Sequence, residues 1–169
     1  KFYNRCLQNP SLRPLFDSGK FDRKFIERLI KTYRDTYKKI PLYWTAVERA
    51  FRQCIKFPHL KPVVGAIEFS CSNSEVQIKL PSGRVLYYRH CRIDKKGTIK
   101  YHHGAMWGGS ITENIVQSCA RDLLGYWILE CEKAGWPVLL SVHDEIVISM
   151  PKNTPAIDVD HFKRILCSL

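Results

Sequence analysis

The chain has 169 residues, with 27 Lys/Arg against 16 Asp/Glu, a formal net charge of +11. That length suits one domain or a piece of one. The 45% apolar and 12% aromatic content supports a packed core and excludes global disorder. No stretch reaches the roughly 18 consecutive apolar residues of a membrane span. The opening Lys1-Phe2-Tyr3-Asn4-Arg5-Cys6 holds no signal-peptide h-region. The expectation is a soluble, cytoplasmic chain without a membrane partner.

Residues 1–60 carry 14 Lys/Arg against 5 Asp/Glu, a net +9, and residues 61–169 carry 13 against 11, a net +2. An excess of this size suits a polyanion, nucleic acid foremost, while a charge run is as often a solvated helix face. The 7 cysteines are odd in number, and no two stand as CxxC. That argues against a disulfide framework and a structural zinc site, and makes a reducing compartment the default. The 6 histidines form neither HxH nor HExxH, and the His102-His103 pair has no evident carboxylate partner.

Pro10, Pro14 and Gly19 make residues 1–20 an irregular lead-in. From Phe21 to Ile40 apolar residues recur at three-and-four spacing, with Arg23, Lys24, Arg28, Lys31, Arg34 and Lys38 on the other face, which predicts a helix. Pro41 interrupts it and suits the first turn of a second helix carrying Leu42, Trp44, Val47, Ala50, Phe51, Cys54 and Ile55. Residues 75–80 alternate as a half-buried strand does. Pro81-Ser82-Gly83 is a turn signal, residues 84–89 the return strand, and 98–101 a third strand after Lys95-Lys96-Gly97. Together they predict a small antiparallel meander. A long helix follows from about Ile111 to Ala134, capped by Ser110 or Thr112 and ended by Gly135. Two apolar runs, 138–142 and 146–150, then flank His143-Asp144-Glu145 and predict a tight hairpin whose strands lie inside a sheet.

That tip is the most informative feature. An Asp raised on two rigid strands can offer both oxygens to a hard cation such as Mg2+, and His143 can donate to a phosphate or sugar oxygen. Asp is equally at home in turns for local hydrogen bonding, so the tip alone leaves both readings open. On the preceding helix Glu113, Gln117 and Arg121 fall at i, i+4 and i+8 and share one polar face.

Thr112-Glu-Asn-Ile-Val-Gln117, Ala120-Arg-Asp-Leu-Leu124 and Ser141-Val-His-Asp-Glu-Ile-Val147 follow one another in that order. Together they resemble the C-terminal palm of family A DNA polymerases, closest to the phage and prophage branch. Thr32-Tyr-Arg34 with Pro41 and Trp44 resembles the helical stretch after the fingers, and Leu80-Pro-Ser-Gly-Arg84 with Tyr87-Tyr88 the hairpin that the branch carries there. The resemblance spans about residues 25–150. It implies an α+β fold, an antiparallel palm-type sheet whose motif C hairpin packs on long helices. Its segments would be a basic helical stretch (1–60), a β-meander (61–107) and the palm helix with motif C and a tail (108–169), all of one partial polymerase domain.

The resemblance further implies template-dependent nucleotidyl transfer with two Mg2+ or Mn2+ ions, acting on primer-template DNA and deoxynucleoside triphosphates. Asp144 matches the metal-binding aspartate of motif C, Glu145 the neighbouring acid and His143 the residue near the primer end. Gln117 matches a minor-groove contact. Arg121, Arg84 and Arg34 would meet phosphates, and Glu113 stands where many members have Asn. The family's Asp-x-Ser-x-x-Glu motif and its Arg-x-x-x-Lys nucleotide-binding helix are not in this sequence, so the chain is expected to be inactive alone. The alternatives are a non-catalytic basic nucleic-acid-binding module, such as a prophage remnant, and a metal-dependent nuclease using His143 and Asp144.

Overall fold

The computed structural model describes residues 2–167. Lys1, which opens the first expected segment, and Ser168 and Leu169, which close the last, lie outside the described residues. The chain forms two compact units, one up to Ala46 and one from Val47 onward.

In the first unit the lead-in is not irregular. It forms two short helices, α1 (Phe2–Gln8) and α2 (Arg13–Asp17). The prolines permit this because Pro14 takes an early position in α2, where a missing N–H leaves no bond unmade. A run of rings ties the pieces together. Tyr3 meets Phe16 edge-on at 5.7 Å, Phe16 meets Phe21 at 6.1 Å, and Phe21 stacks on Phe25 at 4.4 Å. Asp22 caps α3 (Arg23–Thr36) by accepting the Phe25 N–H at 2.6 Å. α3 stops at Thr36, short of the expected Ile40, and α4 (Lys39–Lys56) holds Pro41 in its first turn. Only Ile26 of the α3 stripe is buried, while Leu29 and Tyr33 stay about half exposed.

The second unit holds the main core. Val47, Ala50, Phe51 and Cys54 of α4 are buried at the i, i+3, i+4, i+7 spacing of an amphipathic helix. A four-stranded antiparallel sheet runs in the order β1 (Val63–Val64), β2 (Ile67–Ser72), β3 (Glu75–Lys79), β4 (Val85–Tyr88). Its buried residues alternate along the strands, Ile67 and Phe69 on β2 and Val76 and Ile78 on β3. Phe51 of α4 meets Tyr88 of β4 edge-on at 5.5 Å. Asn73 and Ser74, both at positive φ, make the two-residue turn between β2 and β3 that suits strand twist. The expected third strand of this meander belongs elsewhere. It pairs in a second, three-stranded sheet of β5 (Arg92–Ile93), β6 (Ile99–Tyr101) and β7 (Gly104–Met106). Burial pushes the Cys54 and Cys91 thiols up to about 11, as befits cysteines serving as small core hydrophobes.

The long helix α5 (Gly108–Lys133) begins three residues before the expected Ile111, and its N-cap position is Trp107 rather than Ser110 or Thr112. Ser110 still shapes that end. Its Oγ accepts the Trp107 N–H at 3.0 Å and donates to the Trp107 carbonyl at 2.8 Å. The first N–H of the helix, Gly108, donates to Glu48 Oε2 at 2.7 Å. Glu48 Oε1 in turn takes Arg52 Nη2 at 2.7 Å, and Arg52 Nη1 reaches the Gly97 carbonyl at 2.7 Å. This chain of contacts fastens α5 to α4 and to the turn before β6. Gly135 at φ +82 ends the helix as expected.

β8 (Val138–Val142) and β9 (Glu145–Ile148) form the predicted hairpin, but as a two-stranded sheet of their own. The expectation that these strands lie inside a sheet does not hold among the described residues. No further strand pairs with them, and Leu139 remains 64% and Leu140 51% exposed. The expected tail folds instead as helix α6 (Ala156–Cys167), with Phe162 edge-on to Trp136 at 6.0 Å. No helix among the described residues is long and apolar enough to cross a membrane. The architecture is α+β, with several antiparallel sheets and long helices.

Candidate nucleic-acid interface

The hairpin tip is tighter than the sequence suggested. Val142 pairs with Glu145, so the turn is His143-Asp144 alone and Glu145 is the first residue of β9. His143 sits at φ +53, in the left-handed half of backbone space. His is among the few non-glycine residues enriched in that region.

The tip faces α5 across a cleft of about 540 Å³. His143 and Asp144 line one side of it. Gln117 and Arg121 line the other, one helical turn apart, over apolar ground that includes Leu124 and Trp127. All four polar residues are exposed. Among the described residues none of their side chains makes a hydrogen bond or ion pair. The Trp127 Nε1–H is buried and also lacks a partner there. A buried donor without a partner is unusual, and beside it the exposed polar side chains of both walls are free to meet a ligand.

The other expected site residues fall differently. Glu113 lies on α5 one turn before Gln117, exposed and outside the cleft lining. Glu145 is exposed beside the tip. Arg34 belongs to the first unit, exposed on α3, whereas the cleft is built wholly from second-unit residues. Arg84 is engaged within the fold. Its Nε donates to Asp122 Oδ1 at 2.6 Å and its Nη2 to the Ser118 carbonyl at 2.8 Å, while Ser82 donates to the other Asp122 oxygen at 2.5 Å. Partial burial works to raise the Asp122 carboxyl, but the bonds from Ser82 and Arg84 outweigh it and hold it below its usual value. The β3–β4 turn is thereby braced onto α5.

A second cleft, about 520 Å³, opens on the other side of Gln117. Tyr87, Tyr101, His102 and His103 line one wall, and Asn114, Gln117 and Ser118 the other. Beyond the adjacency of the two histidines this grouping is not legible in the sequence, because β4, the β6–β7 turn and α5 meet only in the fold.

A two-ion centre needs several oxygen or nitrogen donors around one point. The tip supplies Asp144 with Glu145 beside it, and among the described residues no group of three or more His, Cys, Asp and Glu could hold a metal ion. The donors present do not by themselves fit the expected pair of Mg2+ ions.

The chain is 28% identical over 147 residues to a DNA polymerase of Bacillus phage SP02, across 79% of this chain and 23% of that protein. It thus spans less than a quarter of the length of the curated relative it matches. No family model matches, and no solved structure does. The chain is a distant homologue of a phage DNA polymerase.

Proposed function

We propose that this chain is the primer-end portion of a family A DNA polymerase. The single observation that carries this reading is the convergence of Gln117, Arg121, His143 and Asp144 on one cleft with their side chains unengaged. The distant homology to a phage polymerase agrees with it. In this reading residues 1–60 supply long-range attraction to duplex DNA, 61–107 form the β-rich segment beside it, and 108–169 present the primer-end groups.

Each cleft residue has a role that its chemistry allows. The Gln117 amide donates to the minor-groove acceptors that every base pair shares, so it tests pair geometry without reading sequence. Arg121 meets a backbone phosphate with its planar fork of donors. His143 donates to a sugar or phosphate oxygen at the primer end. Asp144 contributes one carboxylate to a catalytic centre whose remaining donors come from residues outside this sequence, with Glu145 a secondary acid. Divalent metal ions, when bound there, supply charge stabilisation for nucleotidyl transfer.

The test is binding of a fluorescent primer-template duplex to the purified chain, followed by anisotropy. Expected is a sequence-independent Kd of roughly 10⁻⁴–10⁻⁶ M near physiological salt, weakening steeply as salt rises. Arg121→Glu should weaken it further and flatten the salt slope, and the chain alone should not extend the primer. In the complete polymerase Asp144→Ala should abolish synthesis and leave duplex affinity nearly intact. Salt-insensitive binding, or wild-type synthesis by the Asp144 variant, would refute the reading.

A further inference from the structure

We infer that the second cleft binds unpaired nucleotides, forming a single-strand track that joins the primer-end cleft at Gln117. The inference rests on the DNA reading above and deepens it.

The chemistry of the walls carries it. Tyr87 stands 58% exposed on β4, and among the described residues no ring or hydrogen-bond contact occupies its side chain. Opposite the strand wall α5 presents amides and a hydroxyl. Asn114 is held in place because its Nδ2 donates to the Tyr88 hydroxyl at 3.0 Å, which leaves its Oδ1 as an acceptor. Tyr101 sets the two imidazoles beside it, His102 at 5.7 Å and His103 at 5.6 Å, each edge-on, with the imidazoles 3.5 Å from one another. Flat rings on one side with hydrogen-bonding groups on the other suit a splayed base, whose faces stack and whose edge hydrogen-bonds. A duplex offers its groove edges but not its base faces, which are covered by their neighbours, so it cannot stack on this wall. Among the described residues that line the cleft there is no Lys or Arg, so a backbone-only polyanion site is the poorer description.

Continuity with the first cleft sets the place of the track. Gln117 lines both clefts. A strand leaving the duplex end near His143 would therefore pass Gln117 and reach Tyr87.

The experiment compares two probes on the purified full chain, a blunt duplex and a single strand carrying 2-aminopurine, whose fluorescence is quenched on stacking. Wild type should quench the probe on binding. Tyr87→Ala should weaken single-strand affinity by about 5- to 100-fold, the range expected for one lost base stack, and abolish the quenching. Tyr87→Phe should retain both, and blunt-duplex affinity should change less than about twofold in either variant. Tyr87 is exposed, and unchanged far-UV circular dichroism would verify that the variants fold. Tyr87→Ala without effect on single strands, or with equal loss on both probes, would overturn the track and leave the primer-end reading standing. A wild-type chain that binds neither probe would overturn both.

Discussion

Glu48 holds the start of α5, nine residues ahead of Gln117, and its removal tests how the site is positioned. One carboxylate oxygen accepts the Gly108 N–H at 2.7 Å, and the other takes Arg52 Nη2 at 2.7 Å and Nε at 2.9 Å. The two side chains are 28% and 31% exposed, so solvent screens the pair only in part. Losing a helix-capping acceptor costs about 1 kcal/mol, and losing a part-buried, charge-assisted pair about another 1 kcal/mol. Leaving a Gly108 N–H and an Arg52 nitrogen short of partners adds to this, so Glu48→Ala should lose about 2–3 kcal/mol. That corresponds to a Tm lower by about 5–10 °C for a chain of this size. Glu48→Gln keeps an oxygen acceptor and should lose only about 1 kcal/mol. Burial alone would raise the Glu48 carboxyl, but the hydrogen bonds from Arg52 and Gly108 and the Arg52 charge bring it below its ordinary 4.5. A folded value lower than the unfolded one stabilises the fold above about pH 4.5, and the contribution fades as pH falls through the folded value. The gap between wild type and Glu48→Gln should accordingly be full at pH 7 and shrink towards pH 3. Urea unfolding at several pH values, followed by circular dichroism and tryptophan fluorescence, measures all of this. A Glu48→Ala loss under about 0.5 kcal/mol, the spread of ordinary surface substitutions, would refute the reasoning, as would a Glu48→Gln gap that widens in acid.

Two further outcomes follow from the hairpin. His143→Gly relieves a non-glycine residue at φ +53 and should leave stability unchanged or raise it by up to about 1 kcal/mol, while duplex affinity falls; thermal melts and anisotropy would show it, and a loss of stability above about 1 kcal/mol would make the imidazole a structural element instead. Amide hydrogen exchange should be faster in β8 and β9 than in β2 and β3, because an isolated two-stranded ribbon is marginal in water; equal protection of the two pairs would count against the exposed setting of the hairpin.

What could be read from the sequence follows from how local each signal is. The α4 stripe of Val47, Ala50, Phe51 and Cys54 repeats within one helix and is buried as its spacing requires. The pairing of Val138–Val142 with the strand after the tip needs only alternating turn and apolar signals, and it too is found. The lead-in is misleading because proline signals a break in most positions, whereas Pro14 enters a helix at a position that needs no N–H. Residues 98–101 read as a strand and form one, but their partners are not legible, since nothing local to Ile99–Tyr101 says that Arg92–Ile93 pairs with it. The tip and the α5 face were legible as chemistry, and the fold adds that they share a cleft. The Glu48 contact to Gly108 and the Arg84 brace to Asp122 were not legible, because they join residues 60 and 38 apart.

The hairpin is short of two things at once. Its strands carry more apolar surface than the chain covers, for Leu139 and Leu140 on β8 and Val147 on β9 all stay at least 40% exposed. Its tip carries a carboxylate without the companion donors that a metal centre needs among the described residues. A strand that is apolar on both faces is ordinarily one buried on both faces. An Asp fixed in the turn between such strands is then held where neighbouring strands can bring further groups beside it. Under the proposed polymerase reading, one added segment lying along the ribbon would meet both needs, burying the leucines and placing a second carboxylate near Asp144. A nuclease centre assembled from this chain's own residues would meet neither, since it would leave β8 uncovered and draw on donors that do not cluster among the described residues. The unsatisfied surface and the incomplete site therefore favour the polymerase reading over that alternative.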